Sequence, residues 1–253
     1  MEGRQPLEQP YLSVVVPAYQ EERRIGPSLD AIVAHLNAQP YPTEIVVVGD
    51  GCTDNTAAVV RARAEASPVP IAMLDRAENR GKGYSVREGL LAARGRMRLF
   101  SDADLATPID ELDRMLAVTH RRGAQVVIAS RALPESELVI RQPWYRETMG
   151  RIFNLLVRGA GLTACPDTQC GFKLLSAEAV ERVVPRLTID GFGFDVELLW
   201  VALKQGLEVW QIPVRWIDSP ASRVSPITDS ARMFLDLLQV RLNDWRGLYG
   251  KGA

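Results

Sequence analysis

Short β-branched apolar runs alternate with longer amphipathic stretches through the first half of the chain. The runs are residues 12–16, ending at Pro17; 44–48, ending at Gly49; and 71–74, 97–100 and 125–129. Between them, residues 21–37, 54–66, 82–94 and 108–122 carry the three- and four-residue apolar spacing of helices. Strands alternating with helices at this spacing predict an α/β fold, a mainly parallel sheet with helices on both faces. Thr107 ahead of Pro108, with Asp110 three residues on, predicts one helix start. Ser176 with Glu178 and Ala179 behind it predicts another.

The second half is less regular. Residues 133–143 read as a loop. Residues 144–159 read as a helix, with Tyr145, Met149, Ile152, Phe153 and Leu156 on one face and Arg146, Arg151 and Arg158 elsewhere. Residues 218–226 are rich in Ser and Pro and read as a mobile loop. A last helix carries Ile227, Ala231, Phe234, Leu235, Leu238, Leu242 and Trp245 at helical spacing. No repeat, linker or low-complexity segment interrupts the pattern. The expected organisation is a tail (1–10) and a single domain (11–247), divided at residue 131 into a regular and an elaborated half.

Composition removes several function classes. Of 253 residues, 47% are apolar and 24% charged, which excludes a long disordered chain. Net charge is -1, so no overall basic footprint for nucleic acid exists. The longest apolar run, 198–203, is too short to span a bilayer. The polar start lacks the apolar core of a secretory signal, and three cysteines make an odd count. Both point to a reduced, cytoplasmic setting. Cys165 and Cys170, with only His35 and His120 elsewhere, lack zinc-site spacing.

In an open parallel sheet, ligands bind beyond the carboxyl ends of strands. Here five consecutive strand ends carry polar, charged or Gly-rich turns: residues 17–22, 49–54, 79–83, 101–104 and 130–131. Asp102 and Asp104 form an Asp-x-Asp that can hold a hard cation, Mg²⁺ or Mn²⁺, through oxygen, or simply make a turn. Asn79 to Gly83 either lets backbone approach a diphosphate, with Lys82 adding charge, or is an ordinary strand-to-helix turn. It is not a P-loop, and no G-x-G-x-x-G comes after the first strand. Asp50 fits a base N–H or a turn; Tyr19 fits a stacked base or the core.

Together, residues 14–22 (VVVPAYQEE), 46–54 (VVVGDGCTD) and Asp102-Ala103-Asp104 resemble family 2 glycosyltransferases of the GT-A fold. Residues 141–146 (RQPWYR), 167–173 (DTQCGFK) and 191–197 (GFGFDVE) resemble dolichyl-phosphate β-glucosyltransferases in particular. The resemblance implies an inverting enzyme with a nucleotide-sugar donor and a divalent cation. The regular half would bind the donor and the second half the acceptor. Pro17, Ala18, Tyr19, Glu21 and Asp50 would hold base and ribose. Lys82, Asp102, Ala103 and Arg223 would meet the diphosphate, with Asp104 the direct metal ligand. Arg131 and Arg146 would contact the phosphate of a polyprenyl acceptor, and Lys173 and Asp195 would line the acceptor side as catalytic residues with Asp104. Apart from the resemblance, both arginines also fit ion pairs with Glu135, Glu137 and Glu147.

Two departures stand out. The usual aspartate pair after the second strand is Gly49-Asp50 here. Ala106 replaces a glutamine common in mannosyl relatives, which favours UDP-glucose over GDP-mannose. The glucosyl relatives of eukaryotes carry a membrane anchor, which the pattern lacks. The helix at 144–159 fits peripheral contact with the cytoplasmic membrane face, a core helix or a dimer interface. A transferase acting on a small or protein hydroxyl is the competing reading. It requires a general base, Asp195 or Asp167. A non-catalytic nucleotide-sugar-binding protein is the third.

Overall fold

Each of the five apolar runs forms a strand, and each amphipathic stretch between them forms a helix. In chain order these are β1 (Leu12–Ala18), α1 (Ile25–Asn37), β2 (Thr43–Asp50), α2 (Thr56–Ala66), β3 (Ile71–Arg76), α3 (Lys82–Ala92), β4 (Met97–Ser101), α4 (Glu111–Arg122) and β5 (Val126–Ser130). The second half adds β6 (Glu137–Ile140), α5 (Trp144–Gly159), β7 (Phe172–Ser176), α6 (Ala177–Val183), α7 (Phe194–Lys204), β8 (Val209–Pro213), β9 (Arg215–Ile217) and α8 (Thr228–Trp245). This computed structural model describes residues 9–140, 144–162, 165–217 and 228–250.

Seven strands make one sheet in the order β3-β2-β1-β4-β7-β5-β8. Neighbours pair in parallel except around β7, which is antiparallel to both β4 and β5. The expected mainly parallel, helix-flanked sheet is therefore what forms. Successive side chains alternate between faces. Val15, Val46, Val48 and Phe100 pack with Val86 and Leu90 of α3 and with the helices of the second half. Val14, Val16, Ile45 and Val47 pack with Ile25 and Leu29 of α1 and Leu112 and Met115 of α4. Each fully buried Val, Leu, Ile or Phe is worth roughly 1.5–3 kcal/mol relative to exposure. These two clusters carry the frame, which leaves the strand-end loops free to be polar.

Several local expectations are corrected. α1, α2 and α4 begin two to four residues later than the pattern implied, because polar turns precede them. Thr107 does not cap α4: Pro108 and Ile109 carbonyls accept from Glu111 and Leu112, and the Thr107 hydroxyl lies 3.6 Å from Cys170 Sγ. Ser176 does cap α6, its Oγ accepting from the Ala179 N–H at 3.1 Å. Residues 137–140, read as loop, form β6 and pair with β9. The run is four residues long and its partner is distant in sequence, so nothing local announces it.

Helix faces are corrected too. In α5, Phe153 and Val157 are buried, while Leu156 is exposed. In α8, for which the spacing assigned no face, Met233, Leu237 and Val240 are buried and the apolar stripe from Phe234 to Trp245 is exposed. Residues 218–226, read as a mobile loop, lie outside the described residues, as does Ile227.

Candidate active site

The strand order leaves β1 in both directions, toward β2 and toward β4, so a crevice opens at their carboxyl ends. The loops after β1 and β2 are laced together there. Gln20 takes the left-handed region at φ 56°, and its side-chain oxygen accepts from the N–H groups of Thr53 and Asp54 at 3.0 and 3.1 Å. The Glu21 N–H donates to Thr56 Oγ1 at 2.7 Å, and Cys52 Sγ lies 3.4 Å from the Ala18 carbonyl. These bonds bring Pro17, Ala18, Tyr19 and Glu21 beside the loop after Asp50. The Tyr19 side chain is exposed, which favours a stacking surface over a core role.

Asp50 is buried and already engaged. Its carboxylate accepts from the N–H groups of Arg80 and Gly81, both at 2.8 Å, and pairs with Arg76 at 2.6 Å. A carboxylate has about four acceptor positions, so one is left for a base. The residue's visible work is to anchor the turn from Asn79 to Gly81. That turn delivers Lys82, whose Nζ lies 2.7 Å from Asp102 Oδ1. Burial disfavours the Lys82 ammonium, but Asp102, Asp195 and Asp104 outweigh it and raise its pKa.

Asp102 and Asp104 stand at the end of β4. Ala103 between them is buried. Asp104 accepts from the Ala106 N–H at 3.2 Å, and its other oxygen lies 3.5 Å from Arg24 Nη1. Arg24 in turn clasps Glu21 at 2.6 Å. Burial and the Asp102 charge push the Asp104 carboxyl up, against Arg24 and Lys82. Two crowded carboxylates of this kind fit a hard divalent cation, whose charge would favour their ionised forms. Among the described residues no cluster of three or more His, Cys, Asp or Glu forms a metal cage. A cation here would draw its remaining oxygens from substrate and water, as Mg²⁺ characteristically does.

Gly171 determines where the Asp102 carboxylate can be. Its carbonyl accepts from the Asp102 N–H at 3.0 Å, and a Cβ on residue 171 would fall inside that carboxylate. Gly171→Ala is therefore expected to displace Asp102 and loosen Lys82. Donor affinity should fall about tenfold or more, an effect of one lost charged contact, with the unfolding midpoint nearly unchanged. Calorimetric titration with the donor checks this; undiminished affinity would contradict it.

Deeper in the second half lie two ion pairs. Arg131 grips Asp167 with two parallel bonds of 2.8 and 2.9 Å, and its own N–H adds a third at 2.8 Å. Burial would push Asp167 up, but Arg131 holds its carboxyl down at about 2. The guanidinium keeps some exposure and lies over the Trp216 ring. Lys173 is fully buried; its Nζ donates to Asp195 and to the Cys170 carbonyl. Burial raises the Asp195 pKa, partly offset by Lys173 and Lys82. Both residues are buried where an acceptor-lining pair would be open to solvent: an ammonium and a carboxylate buried this deeply must satisfy each other. Of the remaining expected residues, Arg146 lies in α5 with its side chain outside the described residues, and Arg223 lies outside them entirely.

Three contributors escaped the sequence reading. Arg24 reaches Asp104 across 80 residues of sequence. Arg76 braces Asp50 from β3. Glu197, two residues after Asp195, is fully buried and accepts from Thr188, Ile189 and the Tyr249 hydroxyl. It fixes the segment that backs the Gly-rich turn, where Gly83 N–H donates to the Asp190 carbonyl at 2.8 Å. The run GFGFDVE signalled that this segment matters, but not that its glutamate is structural.

Known proteins resemble the chain along the same lines. Residues 13–184 match the model of glycosyl transferase family 2. A dolichyl-phosphate beta-glucosyltransferase of Dictyostelium discoideum is 33% identical over 98% of this chain and 79% of its own length. One from Trichomonas vaginalis is 37% identical over 94% of this chain and 73% of its own. In fold, the chain is similar to glucosyl-3-phosphoglycerate synthase from Mycobacterium tuberculosis in complex with UDP. The TM-score is 0.64, with 21% identity over 96% of this chain and 82% of that one. Mannosyl-3-phosphoglycerate synthase from Rubrobacter xylanophilus gives a TM-score of 0.66 at 19% identity, covering 94% and 74%. The strand-end aspartates, the laced donor-side loops and the matched family together make this chain a family 2 glycosyltransferase, akin in sequence to the dolichyl-phosphate beta-glucosyltransferases.

Proposed function

We propose that the protein transfers glucose from UDP-glucose to a polyprenyl phosphate of the dolichyl type, with inversion at the sugar. The relatives named above support the acceptor class and the sugar. A Mycobacterium tuberculosis synthase of the same fold, crystallised with Mn²⁺ and UDP-glucose, supports the donor and cation. The observation that carries the reading is the state of the two carboxylates a hydroxyl acceptor would need. Asp167 is locked to Arg131 and holds its proton too weakly to act as a base at neutral pH. Asp195 is buried against Lys173. A phosphate acceptor is already ionised and requires neither.

In this reading an acceptor phosphate oxygen attacks the anomeric carbon as the bond to the donor's diphosphate breaks on the opposite face. The bonding electron pair leaves with UDP. Pro17, Ala18, Tyr19, Glu21 and Asp50 hold base and ribose. Asp104, with Asp102, would hold the divalent cation, and Ala103 between them would meet the donor. When bound, that cation neutralises charge growing on the leaving group. Lys82 and Arg24 add fixed positive charge there, which costs no reorganisation during the reaction. The Ile217 N–H donates to the Ala106 carbonyl at 2.8 Å, so the chain leading to Arg223 departs from beside Asp104. This supports Arg223 as a diphosphate contact. Arg131, with Arg146, takes the acceptor phosphate; guanidinium forks match phosphate oxygens, and Asp167 presets the geometry.

The test incubates purified protein with labelled UDP-glucose, Mg²⁺ or Mn²⁺ and a polyprenyl phosphate. Label is expected in the organic phase. Donor binding without lipid labelling would turn the assignment to a hydroxyl acceptor, and failure to bind UDP-glucose would turn it to GDP-mannose.

A further inference from the structure

We infer that Trp216 is a positioning residue, whose ring fixes the plane of the Arg131 guanidinium so that its remaining edge meets the acceptor phosphate. This rests on the phosphate contact proposed above for Arg131.

The indole has no core to fill. Trp216 is only 8% exposed, yet among the described residues it is the one buried apolar side chain that packs in neither of the two clusters around the sheet. A buried Trp is ordinarily a large piece of core. What this ring covers instead is a charge: Arg131 Cζ lies 5.3 Å from its centroid, over its face. A guanidinium is weakly hydrated and stacks on aromatic faces.

The backbone holds the ring there from three sides. Trp216 is the buried middle residue of the three in β9, between two exposed neighbours. On one side, the Arg215 N–H donates to Glu111 Oε1 at 3.0 Å, and the Arg215 guanidinium pairs with Asp110 at 3.0 Å. On the other, the Ile217 N–H donates to the Ala106 carbonyl at 2.8 Å. Just before β9, the Val214 N–H donates to Ser136 Oγ at 3.3 Å, and that hydroxyl donates to the Ser130 carbonyl at 2.6 Å. So β9 is tied to α4, to the turn after Asp104 and to the end of β5, where Arg131 begins.

Two kinds of constraint then meet on one guanidinium. Arg131 Nε and Nη2 donate to the two Asp167 oxygens at 2.8 and 2.9 Å, which sets the direction within the plane. A planar fork can still hinge about the line joining the two groups. The Trp216 ring blocks that hinge on one side. The Nη1 edge is left for a ligand, and the side chain keeps 27% exposure. A phosphate arriving there meets a cation that is already aimed, so less freedom is lost per hydrogen bond formed.

The test uses a short, water-soluble polyprenyl phosphate with Trp216→Leu and Trp216→Phe. Calorimetry gives its affinity, and turnover with UDP-glucose gives acceptor KM and kcat. Trp216→Leu is expected to weaken acceptor binding and raise acceptor KM about tenfold, the scale of a lost desolvated cation–π contact, with kcat falling far less. Trp216→Phe keeps an aromatic face and should return both to within about threefold of wild type. UDP-glucose affinity should not move, because the Ile217–Ala106 bond joins main chain to main chain and survives either change. Wild-type acceptor affinity in Trp216→Leu, or an equal loss in Trp216→Phe, overturns the inference while leaving the proposed function standing. So does a parallel loss of donor affinity, the mark of a ring that merely props up β9. Acceptor binding that Trp216→Leu weakens, with no transfer by the wild type, would sink the proposed function and support the role of Trp216. A wild type that does not bind the phosphate at all overturns both.

Discussion

Asp104→Asn is expected to lower kcat by about 10²–10³-fold, the scale of losing one preorganised electrostatic group at a developing charge. The change keeps size and shape, so the fold should survive. Arg24 retains its two hydrogen bonds to Glu21 when Asp104 loses its charge. The Ala106 N–H can still donate to the asparagine oxygen. What disappears is negative charge at the one aspartate of the pair whose partner cation, Arg24, is loosely placed at 3.5 Å. Asp102, by contrast, is held by Lys82 at 2.7 Å. In the proposed reading Asp102 is the lysine's partner and Asp104 the metal ligand, two roles that spacing alone leaves equal. Turnover with labelled UDP-glucose across a series of Mg²⁺ and Mn²⁺ concentrations checks the prediction. Full metal-dependent turnover in the variant would defeat it.

The fold of the first half was legible because its signals are local. A β-branched run closed by Pro or Gly is a strand, and the residues just after it lie at a carboxyl end where ligands bind. That logic nominated Tyr19, Asp50, Lys82, Asp102 and Asp104 as candidates without any long-range information. It could not reach Arg24, because a pairing across the crevice depends on how β1 and β4 are set side by side. Gly171 entered only as part of the run at 167–173; the folded structure places its missing side chain against Asp102. The β6–β9 pair failed for the same reason. On α8, periodicity correctly announced an apolar stripe but could not say what covers it. A buried stripe and an exposed one share the same 3.6-residue spacing.

Removing Lys173 separates positioning from catalysis. Its ammonium and the Asp195 carboxylate are both buried. Breaking a buried pair from one side leaves an uncompensated charge and costs about 3–5 kcal/mol, while replacing both partners by apolar residues is often neutral. Lys173→Met is therefore expected to lower the urea midpoint strongly, and Lys173→Met/Asp195→Leu to recover most of the loss. Activity gives the second readout. In the single variant the stranded Asp195 turns to Lys82, the other cation that acts on it among the described residues, and competes with Asp102 for it. Donor affinity should drop along with stability. In the double variant that competition is gone, Lys82 returns to Asp102, and turnover should come back to within about tenfold of wild type, the remaining loss reflecting imperfect repacking. A double variant that is stable but inactive would instead place Asp195 in the reaction itself, and the buried pair would have to open during turnover.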